Sequence, residues 1–315
     1  MTLSRFALLL AIAWAYQNSF AQSTAITVLN LWQNPIHTYV NKQTPEIVSK
    51  TGAIRHIFSP RMELYLPDKN SANGIAILVM SGGGYTREAL GNEGIPASIF
   101  LQKQGFTVFN LIYRLPKEHN NMVNAPFADG QRAIRLIRAN AAQYGYDSNK
   151  IGVLGFSAGG HLASMLATRW NHAYYPPQDQ YDQISARPDF AALIYPVISM
   201  LAPINITRAY QALMPQQPTL KDQQNFSAQL WVNNRTPATF IAHAIDDHIS
   251  PVANSQLMFA ALQKQHVPSE LKLFAHGGHG WGMGKANTET VQWSALFIDW
   301  IKQLYPTQLR GVDTY

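Results

Sequence analysis

The chain lacks cysteine altogether, and only 13% of its 315 residues carry a formal charge. Without cysteine it has neither disulfides nor a thiol for lipid attachment, so a hydrophobic core must supply its stability. The net charge of +6 is too dilute for a nucleic-acid-binding surface, and no basic stripe with interleaved aromatic residues is present. Arg132, Arg135 and Arg138 recur at every third position, and we predict that they form a solvated helix face. We therefore expect no nucleic-acid partner.

Long hydrophobic runs are also scarce, with one exception at the N terminus. Residues 6–15 form an apolar stretch that is too short to span a bilayer as a mature helix. Arg5 precedes this stretch, and the small residues Ser19 and Ala21 follow it, as in a secretory signal peptide. We predict a signal peptide over residues 1–21, cleaved before Gln22, with an uncleaved anchor as the alternative. The mature protein is then periplasmic or secreted, with no membrane segment.

Short apolar runs alternate with helical patterns along most of the remaining chain. This alternation predicts an α/β fold with a mostly parallel central sheet and helices on both faces, built as a single domain over residues 22–315. The predicted strands lie at 75–80, 106–112, 150–154, 190–195, 238–243 and 271–275. The predicted helices lie at 94–104, 126–144, 161–167, 251–265 and 287–304.

Three segments fall outside this alternation. Residues 24–50 are polar and are predicted to form an irregular surface arm, and residues 54–66 to form antiparallel edge strands. Residues 199–235 contain scattered prolines and no strand pattern. We predict that this segment is a cap insertion over the carboxyl edge of the sheet, with Trp231 and Leu213 limiting an acyl pocket. The alternative is a helical excursion on the surface.

The segment Gly155–Gly159 reads Gly-Phe-Ser-Ala-Gly and lies between a buried strand and a helix. This G-x-S-x-G pattern is typical of a nucleophile elbow, in which glycines permit a sharp turn that exposes the serine hydroxyl. We predict Ser157 as the nucleophile. Taken alone, the pattern also fits a tight turn in which Ser157 merely caps the helix.

A serine nucleophile needs a base and a group that orients the base. His279 is the preferred base because it follows the last strand and has glycine on both sides, while His276 is the competitor. Asp247 is the preferred orienting carboxylate, in a loop that follows a buried strand, and Asp246 is then expected to point elsewhere or to cap the turn. The chain order Ser, Asp, His is that of the α/β-hydrolases.

The oxyanion of acyl transfer needs hydrogen-bond donors, which we assign to the backbone N–H groups of Gly83, Gly84 and Ala158. Three consecutive glycines follow the first buried strand, and no Gly-Lys-Ser/Thr ending marks a phosphate loop. Tyr85 and Trp281 are predicted to contact the substrate. Trp281 beside the base either stacks on a sugar ring, lines an acyl pocket or simply packs. No metal ligand set or cofactor motif is seen, so neither is expected.

Together these motifs resemble the α/β-hydrolase esterases of the acetylxylan and feruloyl esterase type, which are relatives of the hormone-sensitive-lipase-like esterases. The resemblance implies the same triad and oxyanion residues, and a substrate that is a small-molecule or carbohydrate ester. Ser81 departs from the Pro or His usual before the three glycines. The matching segments are Ser81–Tyr85, Tyr113–Pro116, Gly155–Ala163, His243–Pro251 and Gly277–Gly280.

We therefore expect an exported serine carboxylesterase that acts on short acyl esters, foremost O-acetyl groups of carbohydrates such as xylan. Two alternatives stand beside it. The first is a prolyl-oligopeptidase-like serine peptidase, against which the lack of a propeller or N-terminal gating domain in this sequence counts. The second is a catalytically inactive binding protein on the same fold, against which the complete set of Ser157, Asp247 and His279 argues.

Overall fold

The computed structural model describes residues 27–32, 45–118 and 122–306, so the predicted signal peptide lies outside the described part of the chain. The strands are β1 (Thr27–Asn30), β2 (Ile47–Val48), β3 (Ile54–Arg55), β4 (Arg61–Tyr65), β5 (Ala76–Met80), β6 (Thr107–Ile112), β7 (Ile151–Phe156), β8 (Phe190–Ile194), β9 (Ala238–Ala244) and β10 (Ser269–Phe274). The helices are α1 (Gly94–Lys103), α2 (Ala125–Ala139), α3 (Ala141–Tyr144), α4 (Ala158–Thr168), α5 (Arg208–Leu213), α6 (Leu220–Asn225), α7 (Ala253–Lys264) and α8 (Trp293–Leu304).

Eight of the strands form one sheet in the order β1-β4-β6-β5-β7-β8-β9-β10. The six strands from β6 to β10 run parallel, while β4 and β1 add antiparallel at one edge. The mostly parallel sheet predicted from the alternating pattern is therefore confirmed. β2 and β3 pair separately as a short antiparallel ribbon.

Both faces of the sheet are covered by helices, because the central strands are apolar on both sides. Every residue of β5, β6, β7 and β8 is buried. On one face, Leu78 and Met80 pack in a core with residues of α2, α4 and α7, and on the other, Ile77 and Val79 pack with α1 and α8. Burial on two faces explains why these strands read as continuous apolar runs rather than as alternating ones.

The chain changes direction in the sheet between β5 and β7. From β5 it crosses to β6 on one side, and it then returns to β7 on the other side of β5. Met80 at the end of β5 is paired with Gly155 near the end of β7, so the loops that follow these strands start side by side. Ligands of open α/β sheets bind at such a switch point, beyond the carboxyl ends of the strands.

Two expectations about the surface were wrong. The arm predicted to be irregular contains β1, because the free edge of β4 offers hydrogen bonds to a passing chain. The arginines of α2 are not a solvated face: Arg132 is buried, and its guanidinium lies 2.7 Å from Asp179 and 3.1 Å from Asp182. Spacing along a helix gives the face that a side chain occupies, but it does not reveal a distant segment that covers this face.

Residues 199–235 contain α5, α6 and a 3₁₀ turn at Ala228–Trp231 but no strand, in agreement with the sequence pattern. The start of α5 reaches the cleft described below, since Thr207, Arg208 and Ala209 line it. None of the described helices combines the length and the apolar character needed to cross a bilayer.

Candidate active site

Ser157 lies in the sharp turn between β7 and α4. Its backbone has φ 52° and ψ −115°, a conformation that residues other than glycine rarely adopt. Its N–H donates to Ile194 O at 2.9 Å. The flanking glycines are required by packing. A Cβ atom on Gly155 would lie 2.1 Å from Gly159 O, and one on Gly159 would lie 2.2 Å from Met80 O. Both positions must therefore lack a side chain for the turn to form.

The structure brings Ser157, His279 and Asp247 together in one hydrogen-bonded chain. Ser157 Oγ lies 2.8 Å from His279 Nε2, and His279 Nδ1 lies 2.7 Å from Asp247 Oδ2. The three side chains come from the loops after β7, β10 and β9, all at the same edge of the sheet. This arrangement lets the imidazole accept a proton from the serine hydroxyl while the carboxylate holds its other nitrogen.

Asp247 is buried and is held by three further contacts. The N–H groups of Ile249 and Ser250 donate to Oδ1 at 2.8 and 2.9 Å, and His243 Nε2 lies 3.1 Å from Oδ2. Burial disfavours ionisation of this carboxyl, but the hydrogen bonds from His243 and His279 outweigh it and lower the pKa of Asp247 well below its usual range. Asp247 therefore stays ionised and accepts a hydrogen bond from the Nδ1–H group of His279.

The competing residues Asp246 and His276 have a different place. Asp246 accepts hydrogen bonds from the N–H groups of Gly278 at 2.7 Å and Gly277 at 3.3 Å. The hydrogen bond from Gly278 N–H lowers the pKa of Asp246. His276 is largely exposed and lies 3.7 Å from Asp246. Asp246 thus fixes the loop that carries His279, and neither residue reaches Ser157.

Ser157 and His279 open onto a cleft of about 580 Å³ that Gly83 and Gly84 also line. Both glycines have positive φ, 123° and 67°. Within the described part of the chain, the N–H groups of Gly83, Gly84 and Ala158 make no hydrogen bond. Three unpaired donors beside a serine hydroxyl suit an oxygen that gains negative charge.

A buried Glu93 connects the glycine loop to the loop that carries His279. Its carboxylate accepts from Gly82 N–H at 2.5 Å and from Tyr195 OH at 2.9 Å, and Tyr195 OH in turn accepts from Gly282 N–H at 3.0 Å. Burial raises the pKa of Glu93 although both donors act against this effect. The Tyr195 ring also packs edge-on against His279, with ring centroids 5.0 Å apart.

The structure does not place Tyr85 or Trp281 in the cleft, at odds with the prediction that they contact substrate. Tyr85 is buried, and its OH lies 2.9 Å from His161 Nδ1 in α4. Trp281 packs between Tyr195 and Trp293 in the core. Both follow a glycine segment that does line the cleft, but both side chains are buried in the core.

The prediction that Leu213 and Trp231 limit the acyl pocket is also wrong. Leu213 lines a separate cavity, and Trp231 lies over the Arg169 guanidinium at 4.0 Å. Neither lines the cleft beside Ser157, where Val197 and the start of α5 lie instead. Residues 199–235 have no regular pattern of apolar positions, so the sequence does not show which of their side chains face the cleft.

Glu93, Tyr195 and His243 are residues of the site that sequence reasoning missed. Tyr195 follows β8 at the catalytic edge, and this position at a strand end was a usable signal. His243 precedes Asp247 by four residues, whereas Glu93 stands before α1 with no motif to mark it. Among the described residues, no three His, Asp or Glu side chains are grouped in a way that could hold a metal ion.

The sequence is similar to known esterase sequences over most of its length. A model of the BD-FAE family matches residues 62–262, which is more than half of the chain. The chain belongs to the BD-FAE family. It is 32% identical over 230 residues to an acetylxylan esterase of Xylanibacter ruminicola, covering 71% of this chain and 44% of the relative. An endo-1,4-beta-xylanase B of Butyrivibrio fibrisolvens is 32% identical over 224 residues, covering 71% of this chain and 35% of the relative.

The chain thus spans less than half the length of these two curated relatives. Among solved structures, the acetyl ester-xyloside bifunctional hydrolase of Caldicellulosiruptor lactoaceticus is 35% identical with a TM-score of 0.76, over 88% of this chain and 96% of the other. The comparisons confirm the resemblance to α/β-hydrolase esterases that the motifs indicated, and the α/β-hydrolase fold. They place the chain among enzymes named for carboxylic ester hydrolysis.

Proposed function

We propose that this member of the BD-FAE family is an exported serine carboxylesterase that removes short acyl groups, foremost O-acetyl groups from carbohydrates such as xylan. The observation that carries the proposal is the chain of contacts from Ser157 Oγ through His279 to Asp247, 2.8 and 2.7 Å long, at the floor of an open cleft.

Ser157 Oγ attacks the ester carbonyl carbon while its proton passes to His279 Nε2. The carbonyl oxygen takes up the negative charge and accepts hydrogen bonds from the N–H groups of Gly83, Gly84 and Ala158. His279 then returns the proton to the departing alcohol oxygen, which leaves an acyl-enzyme. Water repeats the sequence on the acyl carbon and releases the acid and free Ser157.

The substrate class is supported by the relatives and by the dimensions of the cleft. The acetylxylan esterase and the acetyl ester-xyloside hydrolase are both named for acetyl esters. A volume of about 580 Å³ is that of a small-molecule site, with room for one or two sugar rings beside a short acyl group. Export is proposed from the N-terminal sequence alone, on the charged, apolar and small-residue order of residues 1–21.

The decisive experiment compares Ser157→Ala with the wild type on 4-nitrophenyl esters of increasing chain length and on acetylated xylan, with acetate release measured. Loss of the nucleophile is expected to lower turnover by roughly 10⁶-fold. A fluorophosphonate is expected to label the wild type at Ser157 and not the variant. Ser164→Ala is the matched control, because Ser164 lies in α4 and its hydroxyl donates to His161 O, away from the cleft.

Three outcomes contradict the proposal. Labelling at another serine excludes Ser157 as the nucleophile. Wild-type protein that cleaves peptide 4-nitroanilides but no ester is a peptidase. Folded wild-type protein that hydrolyses no ester at all is a binding protein.

A further inference from the structure

Two arginines at the mouth of the cleft have no part in the ester chemistry described above. Arg87 and Arg208 both line the cleft, and both side chains are exposed. Arg87 belongs to the loop after β5, whereas Arg208 begins α5 in the cap segment. Within the described ranges, neither guanidinium makes a hydrogen bond or an ion pair, although most other arginines of the molecule do.

The stems of both arginines rest on the glycines of the proposed oxyanion site. A Cβ atom on Gly83 would lie 3.0 Å from Arg87 Cγ, and one on Gly84 would lie 2.8 Å from Arg208 Cβ and 3.6 Å from its Cδ. The two arginines therefore reach one opening from two different elements, with their stems beside the glycines of the proposed oxyanion site.

No exposed carboxylate in the described lining of the cleft neutralises the positive charges of Arg87 and Arg208. Glu93 is the one carboxylate among the residues that line the cleft in the described part of the chain. It lies within electrostatic range of Arg87, but it is buried and both of its oxygens are engaged by Gly82 N–H and Tyr195 OH. The exposed rim of the cleft is thus positive, and a guanidinium there is suited to a carboxylate, which it binds through two parallel N–H groups.

We propose that Arg87 and Arg208 form a subsite for a carboxylate on the substrate, so that the preferred substrates are acyl esters of acidic carbohydrates with a uronic acid near the acylated hydroxyl. This inference rests on the proposed esterase function and specifies its substrate class. The carboxylate belongs to the alcohol part, because an acetyl group carries no charge of its own.

The test compares two forms of one substrate. The first is an acetylated xylo-oligosaccharide that carries glucuronic acid, and the second is the same oligosaccharide after reduction of its carboxylate to a primary alcohol. The wild type is expected to favour the acidic form in kcat/KM by about tenfold at low salt, since one bound charge pair in a cleft is worth a factor of this order. Arg87→Gln and Arg208→Gln are each expected to lose most of this ratio, and the double variant all of it.

Lys264→Gln is the matched control, since it removes an exposed charge on α7 outside the cleft and is expected to keep the wild-type ratio. Added salt at about 0.5 M is expected to reduce the wild-type preference by screening. Equal kcat/KM for the two forms, with normal turnover of both, overturns the subsite and leaves the esterase function intact. Absence of turnover on both forms overturns the esterase function itself.

A second pair of substrates separates the two sources of a carboxylate. 4-Nitrophenyl hemisuccinate carries its charge on the acyl part, whereas 4-nitrophenyl acetate is neutral. A preference for the hemisuccinate that disappears in the arginine variants, without a preference for the acidic sugar, overturns the assignment to the alcohol part. No preference between these two esters, together with the acidic-sugar preference, supports it.

Discussion

Asp246 and Asp247 are neighbours in sequence, yet their carboxylates bind different groups. Asp247 holds His279 Nδ1 at 2.7 Å, and Asp246 holds the backbone of the loop that carries His279. We predict that Asp247→Asn lowers ester turnover by roughly 10⁴-fold, because an amide at this position favours the wrong His279 tautomer. Asp246→Asn keeps an acceptor for Gly278 N–H and is expected to cost far less. The measurement is kcat on 4-nitrophenyl acetate for both variants.

An equal loss in the two aspartate variants contradicts separate roles, and a larger loss in Asp246→Asn reverses the assignment. Thermal unfolding of both variants serves as the control, since a folding defect lowers the concentration of active enzyme without changing the mechanism. The low pKa of Asp247 adds a further expectation. Its stabilising contacts are present at neutral pH and are lost only at strongly acidic pH, where the folded-state carboxyl takes up a proton.

His161 is a second buried histidine near the site, and it connects two loops rather than reacting. Its Nε2 lies 2.7 Å from Phe226 O, so it donates there, and its Nδ1 accepts from Tyr85 OH at 2.9 Å. Burial lowers the pKa of His161 to about 4, although the bond to Phe226 O opposes the shift. The neutral ring therefore ties the glycine loop to the end of the cap segment.

This lowered pKa predicts how stability depends on pH. The unfolded chain takes up a proton at His161 near pH ~6.5 whereas the folded chain does not, so stability falls as the pH decreases from about 7 toward 4. The wild type is expected to lose about 2 kcal/mol more than His161→Gln between pH 7 and pH 5, measured by urea unfolding. His266→Gln, at an exposed position, is the control and is expected to behave like the wild type. Equal pH dependence in wild type and His161→Gln contradicts a neutral buried ring.

The sequence predicted that Ser157, Asp247 and His279 lie together because each follows a strand of the parallel sheet, and the carboxyl ends of parallel strands meet at one edge. Tyr85 was assigned wrongly because position next to a glycine loop does not fix side-chain direction. The backbone of Tyr85 has φ 58°, and its ring points into the core. Glu93 was missed because its role depends on contacts with Gly82 and Tyr195, which lie far apart along the chain.

At the scale of elements, the parallel strands were the most predictable part of the fold. β5 and β7 are short apolar runs with helices on either side, and their burial on both faces leaves a pattern that sequence shows directly. β1 has the sequence Thr-Val-Leu-Asn and lies on an edge, with two exposed ends and little apolar pattern. Its place is set by the hydrogen bonds of β4, which no local sequence signal reveals.

The cap segment contributes to the cleft through α5 and not through its apolar middle. Val197, just before this segment, is buried, lines the cleft and donates its N–H to Ser157 O at 3.1 Å. We predict that Val197→Ala widens the site and shifts preference from acetate toward butyrate esters. The ratio of kcat/KM values is expected to change roughly fourfold for each additional methylene that the cleft takes in.

Leu213→Ala is the matched control for the chain-length profile. Leu213 is also buried and apolar, but it lines a separate cavity of about 620 Å³ at the end of α5, whereas the start of α5 lines the cleft. It is expected to lower stability while leaving the acetate-to-butyrate ratio unchanged. A shift in Leu213→Ala, or an unchanged ratio in Val197→Ala, shows that the acyl group occupies a different part of the site.

At the scale of the whole molecule, buried ion pairs join segments that are distant in sequence, as disulfides do in other proteins. Arg132 on α2 donates to Leu31 O at 2.9 Å next to β1, and it contacts Asp179 and Asp182 near the 3₁₀ turn at Gln180–Gln183. One guanidinium thus joins a helix, the N-terminal edge and a long loop. This explains why an arginine with surface-like spacing is buried.

We predict that Arg132→Met lowers the free energy of unfolding by about 3 kcal/mol, because the two aspartates keep their charge and lose their partner. The hydrogen bond from Arg132 lowers the pKa of Asp179, so this stabilisation is present at neutral pH and is lost as the pH falls. The variant is therefore expected to lose less stability than the wild type between neutral and acidic pH. Arg135→Met is the control, since Arg135 donates to Ile184 O and Tyr175 OH and pairs with no carboxylate among the described residues. Urea unfolding at two pH values measures both effects, and equal destabilisation by the two substitutions at both pH values contradicts an electrostatic role for Arg132.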